Sequence, residues 1–193
     1  SLEKSNKLKQ LEEIKRISQL ANIHFVRQKE MLGLGNAIYC AKTFVGNEPF
    51  AVLYGDDVIF NDYPVCAQLI DSYEKFGLGV VGIKEVSPEA ITKYSSMKVS
   101  HLEDNIYKIS DMIEKPEPGK EFSLYSILGR CVLPPEIFDI IKKTPKGAGG
   151  EYQLTDAMKQ LAITKGMTGV DFAGKRYDMG NKLGIMKAQV EVA

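Results

Sequence analysis

Two adjacent acids, Asp56 and Asp57, directly follow an apolar run at residues 50–53 and a glycine at 55. The run shows no alternation with polar residues, which predicts a strand covered on both faces. In open α/β sheets, ligands bind beyond the carboxyl ends of the strands. Asp56 is therefore placed to bind Mg²⁺, which prefers one or two protein carboxylates together with phosphate oxygens and water. The alternative is that Asp56 caps a turn, where aspartate is common.

A second acid stands beside a base where the strand-like segment "NIYKISDMIEKP" ends, at Glu114 and Lys115 before Pro116. Neighbours in an extended chain point to opposite faces, so we expect these two side chains not to pair with each other. One could accept hydrogen bonds from sugar hydroxyls while the other neutralises a phosphate. A solvated strand end before a turn is the alternative.

Two more segments carry residue types that suit ligand binding. The glycines of "RQKEMLGLGNA", at 33 and 35, precede a predicted helix, and their N–H groups could approach a flat base or an anion. The segment has no P-loop lysine, and a plain turn with a helix cap is the alternative. Asp178 ends a predicted strand before Gly180, where it could be a second acid for the metal or support the cap of the next helix.

The elements that would position these residues alternate between helix and strand in the first half of the chain. We predict helices over 2–21, from the "GLGN" segment through residue 44, and over 64–76, with strands at "IHFVRQ", 50–54 and "LGVVGIKEV". This alternation favours a parallel sheet covered on both faces.

The middle of the chain changes character. The segments "SSMKVSHL", "NIYKISDMIEKP" and "FSLYSILGRCVL" predict antiparallel strands appended to the parallel core. Helices follow at 135–143 and 153–164, where Thr155 and Asp156 are expected to act structurally near the helix start. A strand pair, "TGVDFAG" and "KRYDMG", leads to a last helix from Asn181. We therefore predict an α/β fold with a Rossmann-like mixed, mostly parallel sheet, in one domain over residues 1–193.

Composition excludes several classes of protein. Lys and Arg total 25, as do Asp and Glu, so the basic excess typical of nucleic-acid binders is missing. The apolar runs are too short to span a bilayer, and no membrane partner is expected. The three cysteines are far apart and lack C-x-x-C spacing, which indicates reduced thiols in a cytoplasmic protein and no zinc site.

Taken in order, these blocks resemble the sugar-1-phosphate nucleotidylyltransferases, and more narrowly the bacterial UTP–glucose-1-phosphate uridylyltransferases, or UDP-glucose pyrophosphorylases. The resemblance runs from about residue 20 to the C-terminus. It rests on the segments "VRQKEMLGLGNA", "GDDVI", "MIEKPEP", "SILGRCVLP", "TPKGAGGEYQLTDAM" and "YDMGNKLGIMKA".

The resemblance implies an activity and a role for each matched position. The reaction would be Mg²⁺-dependent attack of glucose 1-phosphate on UTP, giving UDP-glucose and pyrophosphate without a covalent intermediate. The implied site comprises Gln28 and Gly33 against the uracil, Asp56 and Asp178 on Mg²⁺, Glu114 on the glucose hydroxyls, Lys115 on the sugar phosphate, and Gly129 and Ser95 in the sugar pocket. The family often forms dimers or tetramers, so a homo-oligomer is implied as well.

Three departures from the family pattern stand out. Ser95 occupies the position of a glycine whose N–H meets the sugar, and the segment "FSLYSI" lacks the usual asparagine. The family's glycine-rich loop, of the type GGxGTRxxPxTK, does not occur, so the chain is expected to lack that loop and the first strand, and to be inactive by itself if the loop is essential. Two alternatives stay open: a glycosyltransferase that binds its metal through Asp56 and Asp57, and a non-catalytic module that binds sugar nucleotides.

Overall fold

The computed structural model describes residues 7–192, apart from the side chain of residue 148. Its helices are α1 (Leu8–Ser18), α2 (Leu34–Cys40), α3 (Lys42–Val45), α4 (Val65–Phe76), α5 (Ile137–Lys143), α6 (Leu154–Thr164) and α7 (Lys182–Val192). Its strands are β1 (Phe50–Leu53), β2 (Asp57–Phe60), β3 (Gly79–Glu85), β4 (Ser95–Glu103), β5 (Ile106–Glu114), β6 (Tyr125–Leu133), β7 (Met167–Asp171) and β8 (Lys175–Asp178). Short 3₁₀ turns cover Ile91–Lys93 and Ala148–Gly150.

Six strands form a mixed sheet in the order β1-β6-β3-β7-β5-β4, and β2 pairs with β8 in a separate two-stranded sheet. The predicted mixed α/β sheet flanked by helices is confirmed. The expectation of a mostly parallel sheet is wrong. In this sheet β3 and β7 form a parallel pair, and the other strand pairs are antiparallel.

Strand β6 accounts for two of these antiparallel pairs, and its segment was expected among the strands appended to the parallel core. It lies between β1 and β3, and Val132 is the register partner of both Ala51 and Val80. Strand β6 buries apolar side chains on both faces, since it supplies Cys131 to the larger apolar layer and Val132 to the smaller one. A strand that is buried on both faces is suited to the middle of a sheet. The place of β6 in the sheet is therefore set by burial of its two faces and not by its position along the chain.

The larger apolar layer packs helices α2, α5 and α6 on one side of the sheet, and the smaller layer packs α4 on the other. Helix α4 has nearly the predicted bounds and ends at Gly77 in the left-handed conformation (φ 64°), as helix C-termini commonly do. Helix α1 is shorter than predicted, and residues 1–6 of that prediction lie outside the described part of the chain. No helix within residues 7–192 is long and apolar enough to cross a membrane.

Strand β1 is not covered on both faces as predicted. Its burial alternates: Phe50 and Val52 pack against the larger apolar layer, whereas Leu53, on the opposite face, is 55% exposed and belongs to neither layer. The segment after the two acids forms the separate strand β2. The predicted pairing of the last two strands is also wrong, since β7 joins the main sheet and β8 pairs with β2. Residues 23–28 form no strand.

Candidate functional site

The turn that joins β1 to β2 separates the two adjacent acids. The Asp57 N–H donates to the Tyr54 carbonyl at 3.1 Å, and the Tyr54 N–H donates to the Gly129 carbonyl at 3.0 Å, which ties the turn to β6. Asp56 is exposed, whereas Asp57 is only 6% exposed. The two carboxylates therefore face different surroundings and do not act as one pair.

Asp178 lies opposite the turn, because the β2–β8 register pairs Asp57 with Asp178. The Gly180 N–H donates to Asp178 Oδ1 at 2.9 Å, and the Met179 N–H donates to the Asp56 carbonyl at 2.7 Å. A Cβ placed on Gly180 would lie 3.0 Å from Asp56 Oδ2 and 3.1 Å from Asp178 Oδ1. The carboxylates of Asp56 and Asp178 thus come together above the bare backbone of Gly180.

Two carboxylates brought together in this way fit a hard divalent cation, which takes oxygen ligands. Residues 7–192 contain no cluster of three or more His, Cys, Asp or Glu side chains that could hold a metal ion. A cation held by Asp56 and Asp178 would therefore complete its coordination with water and ligand oxygens. That division of ligands is typical of Mg²⁺ sites that act on phosphates.

The buried acid Asp57 is bound by Arg176. Arg176 Nε donates to Asp57 Oδ1 at 2.5 Å, and the side chains are 17% and 6% exposed. Burial raises the pKa of the Asp57 carboxyl above its ordinary value, and the hydrogen bond from Arg176 acts in the opposite direction. The guanidinium also lies 3.7 Å from Asp178 Oδ2, which accepts a hydrogen bond from the Tyr94 hydroxyl at 3.0 Å. Arg176 and Tyr94 thus hold the Asp178 carboxylate in place.

A different group of side chains surrounds Glu114, at the end of β5. The Thr155 hydroxyl, in the first turn of α6, donates to Glu114 Oε2 at 2.7 Å. Ser95 is the register partner of Glu114, and the Lys115 N–H donates to the Tyr94 carbonyl at 2.9 Å. Ser95 and Glu114 therefore form a non-hydrogen-bonded pair, whose N–H and C=O groups point away from the partner strand.

The serine that replaces the family's glycine is turned inward. Ser95 is 5% exposed, and its Oγ accepts a hydrogen bond from the Ile127 N–H at 3.2 Å. This contact ties the start of β4 to β6, while the Ser95 N–H faces away from β5. The Ser95 side chain thus lies next to the site, and its contact with Ile127 does not involve the Ser95 backbone N–H.

These groups line one cavity of about 210 Å³. Its wall includes the predicted residues Asp56, Ser95, Glu114 and Asp178. It also includes Tyr54, Asp57, Lys93, Tyr94, Ile127, Thr155, Arg176, and residues 34, 153 and 154. The two acids that could hold a cation and the Glu114 carboxylate therefore line the same cavity.

Lys115, predicted to bind the sugar phosphate, and Gly129, predicted to line the sugar pocket, lie outside this cavity wall. Lys115 is exposed and leaves β5 with φ 46°, so it does not continue the extended strand on which its orientation was predicted. Gly129 has φ 79°, and a Cβ there would lie 2.8 Å from the Asp57 Cβ. The glycine is thus needed for close packing of β6 against the acid turn, and it has no part in the cavity wall formed by the described residues.

The predicted base-binding residues form a neighbouring unit. Gln28 Nε2 donates to the Gly33 carbonyl at 3.3 Å. A Cβ on Gly33 would lie 2.7 Å from the Glu151 Cβ and 3.0 Å from the Tyr152 carbonyl oxygen, and Gly33 has φ 93°. Close contact between two chain segments accounts for this glycine, and Leu34 beside it reaches the cavity.

Sequence reasoning did not find Arg176 or Tyr94 and gave Thr155 only a structural role. Arg176 lies two residues before Asp178 in a strand, so the side chains share a face, and this period-two spacing is a signal that could have found it. Tyr94 and Thr155 have no such signal, because their contacts cross 84 and 41 residues of sequence.

Known proteins resemble this chain in sequence and in fold. The model of the family described as "Nucleotidyl transferase" matches residues 2–193. The chain belongs to the nucleotidyl transferase family. Members of this family generally use divalent metal ions.

The most similar relatives include UTP–glucose-1-phosphate uridylyltransferases of Bacillus subtilis strain 168, 42% identical, and of Staphylococcus epidermidis, 45% identical. Each match covers 100% of this chain, and 65% and 67% of the respective relative. The chain thus spans about two thirds of the length of the curated relatives it matches. The resemblance predicted from the motifs is confirmed.

Solved structures show the same architecture. A UDP-glucose pyrophosphorylase complexed with UDP-glucose is 38% identical with a TM-score of 0.91, over 97% of this chain and 72% of that chain. A UTP-bound enzyme of the same kind from Acinetobacter baumannii is 31% identical with a TM-score of 0.88, over 99% and 67%.

Proposed function

We propose that the protein transfers a uridylyl group from UTP to glucose 1-phosphate, giving UDP-glucose and pyrophosphate, with residues 1–193 acting as one nucleotidyltransferase domain. The relatives named above support the substrates. The observation that carries the proposal is the convergence of Asp56 and Asp178 in the same cavity as Glu114. Paired acids suit a cation that binds phosphates, and the third acid suits sugar hydroxyls.

Each described side chain has a positioning task in this reaction. Asp56 and Asp178 would hold Mg²⁺, which when bound supplies positive charge to the phosphates. Glu114 would accept hydrogen bonds from the glucose hydroxyls, and the Ser95 N–H faces away from β5 and is available to a sugar oxygen. Transfers of this kind need mainly positioning and charge neutralisation, so no protein nucleophile is required.

The chemical step is a direct displacement at phosphorus. An oxygen of the sugar phosphate would attack the α-phosphorus of UTP, and the bond to the pyrophosphate oxygen breaks, so pyrophosphate leaves with that electron pair. Lys115 would reduce the repulsion between the two anions as they meet. Gln28 and Gly33 would contact the uracil, and Gly129 would act through its packing beside the cavity.

The glycosyltransferase alternative requires Asp57 as a metal ligand together with Asp56. Asp57 is 6% exposed and its Oδ1 is 2.5 Å from Arg176 Nε, so a metal would have to displace a buried ion pair. This observation favours Asp178 over Asp57 as the second acid. The two functions also differ in their products, because only the uridylyltransferase forms UTP and glucose 1-phosphate from UDP-glucose and pyrophosphate.

We further propose that the protein forms a homo-oligomer. Helix α1 has no buried residue, and Ile14 and Ile17 on it are 54% and 56% exposed. Sedimentation of the purified protein would measure its assembly, and a monomer at all concentrations would refute this part.

The test of the proposed activity is Asp56→Asn. The amide keeps the shape of the side chain but removes the charge that attracts the cation, so we expect UTP formation from UDP-glucose, pyrophosphate and Mg²⁺ to fall at least about a hundredfold. Asp62→Asn, at an exposed acid of the same segment, is the matched control and should retain full activity. Substantial turnover by Asp56→Asn would remove Asp56 from the metal site.

A further inference from the structure

We propose that Thr155 is a positioning residue for the sugar, because its hydroxyl fixes the carboxylate of Glu114 that receives the sugar hydroxyls. The inference rests on the proposed function and adds a residue that determines affinity for the sugar half of the ligand. The residue types at the start of α6 suggest only a structural role for Thr155. The contacts of its hydroxyl point to a different one.

The geometry directs the Thr155 hydroxyl away from its own helix. Thr155 is 8% exposed in the first turn of α6, and its Oγ1 donates to Glu114 Oε2 at 2.7 Å, across 41 residues of sequence. A threonine that served only its helix would bond a backbone group nearby. Thr164, at the other end of α6, does this by donating to the Gln160 carbonyl at 2.7 Å.

Glu114 needs such a partner because it ends a strand and has three rotatable side-chain bonds. Its backbone is fixed by pairing with Ser95, but that pairing does not set the direction of the carboxylate. A hydroxyl bonded to an ionised carboxylate makes a short, charge-assisted contact that selects one orientation. The carboxylate has about four acceptor sites, so a bond to Thr155 leaves acceptors for ligand hydroxyls.

The helix start strengthens this arrangement. Thr155 lies in the first turn of α6, an 11-residue helix whose N-terminal N–H groups carry partial positive charge. The Glu114 carboxylate bonded there experiences that charge as well as the hydroxyl. The carboxylate is thereby held next to the cavity that it lines together with Thr155.

The experiment compares Thr155→Val with Thr155→Ser. Valine keeps the shape but removes the proton donor, whereas serine keeps the donor. For Thr155→Val we expect the affinity for UDP-glucose, measured by calorimetry, to fall about tenfold, while the affinity for UDP stays within about twofold. The KM for glucose 1-phosphate should rise by a similar factor with little change in kcat, because the contact to the hydroxyls is present in both the bound substrate and the transition state.

Controls separate positioning from folding. Thr155→Ser should restore the UDP-glucose affinity, and Thr164→Val, on the same helix, should leave it unchanged. An unchanged ratio of UDP-glucose to UDP affinity in Thr155→Val would overturn the inference. This includes the case in which both affinities fall equally and the melting temperature falls as well. Failure of the unaltered protein to bind UDP-glucose would refute the proposed function itself, and the inference with it.

Discussion

The buried ion pair of Asp57 and Arg176 yields the most demanding prediction about the fold of the site. In Arg176→Gln, the Asp57 carboxylate, which is 6% exposed, loses the guanidinium that lies 2.5 Å away. Removal of one partner from a buried pair destabilises proteins by about 3–5 kcal/mol. The pair itself has a comparable scale, since two unit charges about 4 Å apart attract by about 4 kcal/mol at an effective dielectric constant of 20.

The double variant Asp57→Asn/Arg176→Gln distinguishes charge from shape. It removes the buried charge as well as its partner, so we expect it to recover most of the stability lost by Arg176→Gln alone. Replacement of a buried pair by neutral groups is often close to neutral in free energy. Lys75→Gln, in the exposed pair with Glu103, is the matched control and should change stability little.

The loss should also depend on pH with a defined sign. Burial raises the pKa of Asp57 in the folded state, so the folded protein binds this proton more tightly than the unfolded one. The group therefore costs stability as pH rises from its unfolded pKa, about 4, through the raised folded pKa. Without Arg176 that pKa rises further, so the deficit of Arg176→Gln relative to the unaltered protein should be largest near neutral pH and shrink towards pH 4.

Urea unfolding followed by circular dichroism, at pH 7 and at pH 4, measures all of these differences. Equal instability of Arg176→Gln and the double variant at pH 7 would refute the assignment of the loss to an unpaired charge. A deficit that grows on acidification would refute the sign of the linkage.

Two glycine substitutions test how closely the site is packed. Gly129→Ala should lower the unfolding free energy by about 1–3 kcal/mol, because φ is 79° and the new Cβ would lie 2.8 Å from the Asp57 Cβ; urea unfolding measures it, and an unchanged midpoint would contradict the packing. Gly180→Ala should weaken binding of Mn²⁺, followed by its paramagnetic signal, by at least about tenfold, because the new methyl would crowd Asp56 Oδ2 at 3.0 Å and Asp178 Oδ1 at 3.1 Å. Tighter or equal Mn²⁺ binding would show that these acids do not share a cation.

Patterns within one segment predicted the elements whose apolar residues follow a regular spacing or form a continuous run. The helix at 64–76 and the strand at "LGVVGIKEV" were found because each has a clear apolar pattern. The position of β6 was not found, because side chains buried on both faces indicate a central strand but do not show which distant strands it pairs with. The uncovered face of β1 was not found either, because all four of its residues are apolar and only Phe50 and Val52 pack against an apolar layer.

The same division applies to the site. Asp56, Glu114 and Asp178 could be predicted because acids at strand ends are visible in the sequence, and the structure places all three at one cavity. The structural roles of Gly33 and Gly129 could not be predicted. Their close neighbours, Glu151 and Asp57 respectively, are far away along the chain. The sequence shows only that a glycine is present.

The central claim is that this cavity serves uridylyl transfer to and from glucose 1-phosphate. The most direct measurement is UTP formation from UDP-glucose and pyrophosphate with Mg²⁺, on the purified protein, with dTDP-glucose and GDP-mannose assayed alongside. We predict turnover of UDP-glucose, with at most a few per cent of that rate for the other two. Absence of turnover together with absence of UDP-glucose binding, or equal use of all three sugar nucleotides, would contradict the proposed function.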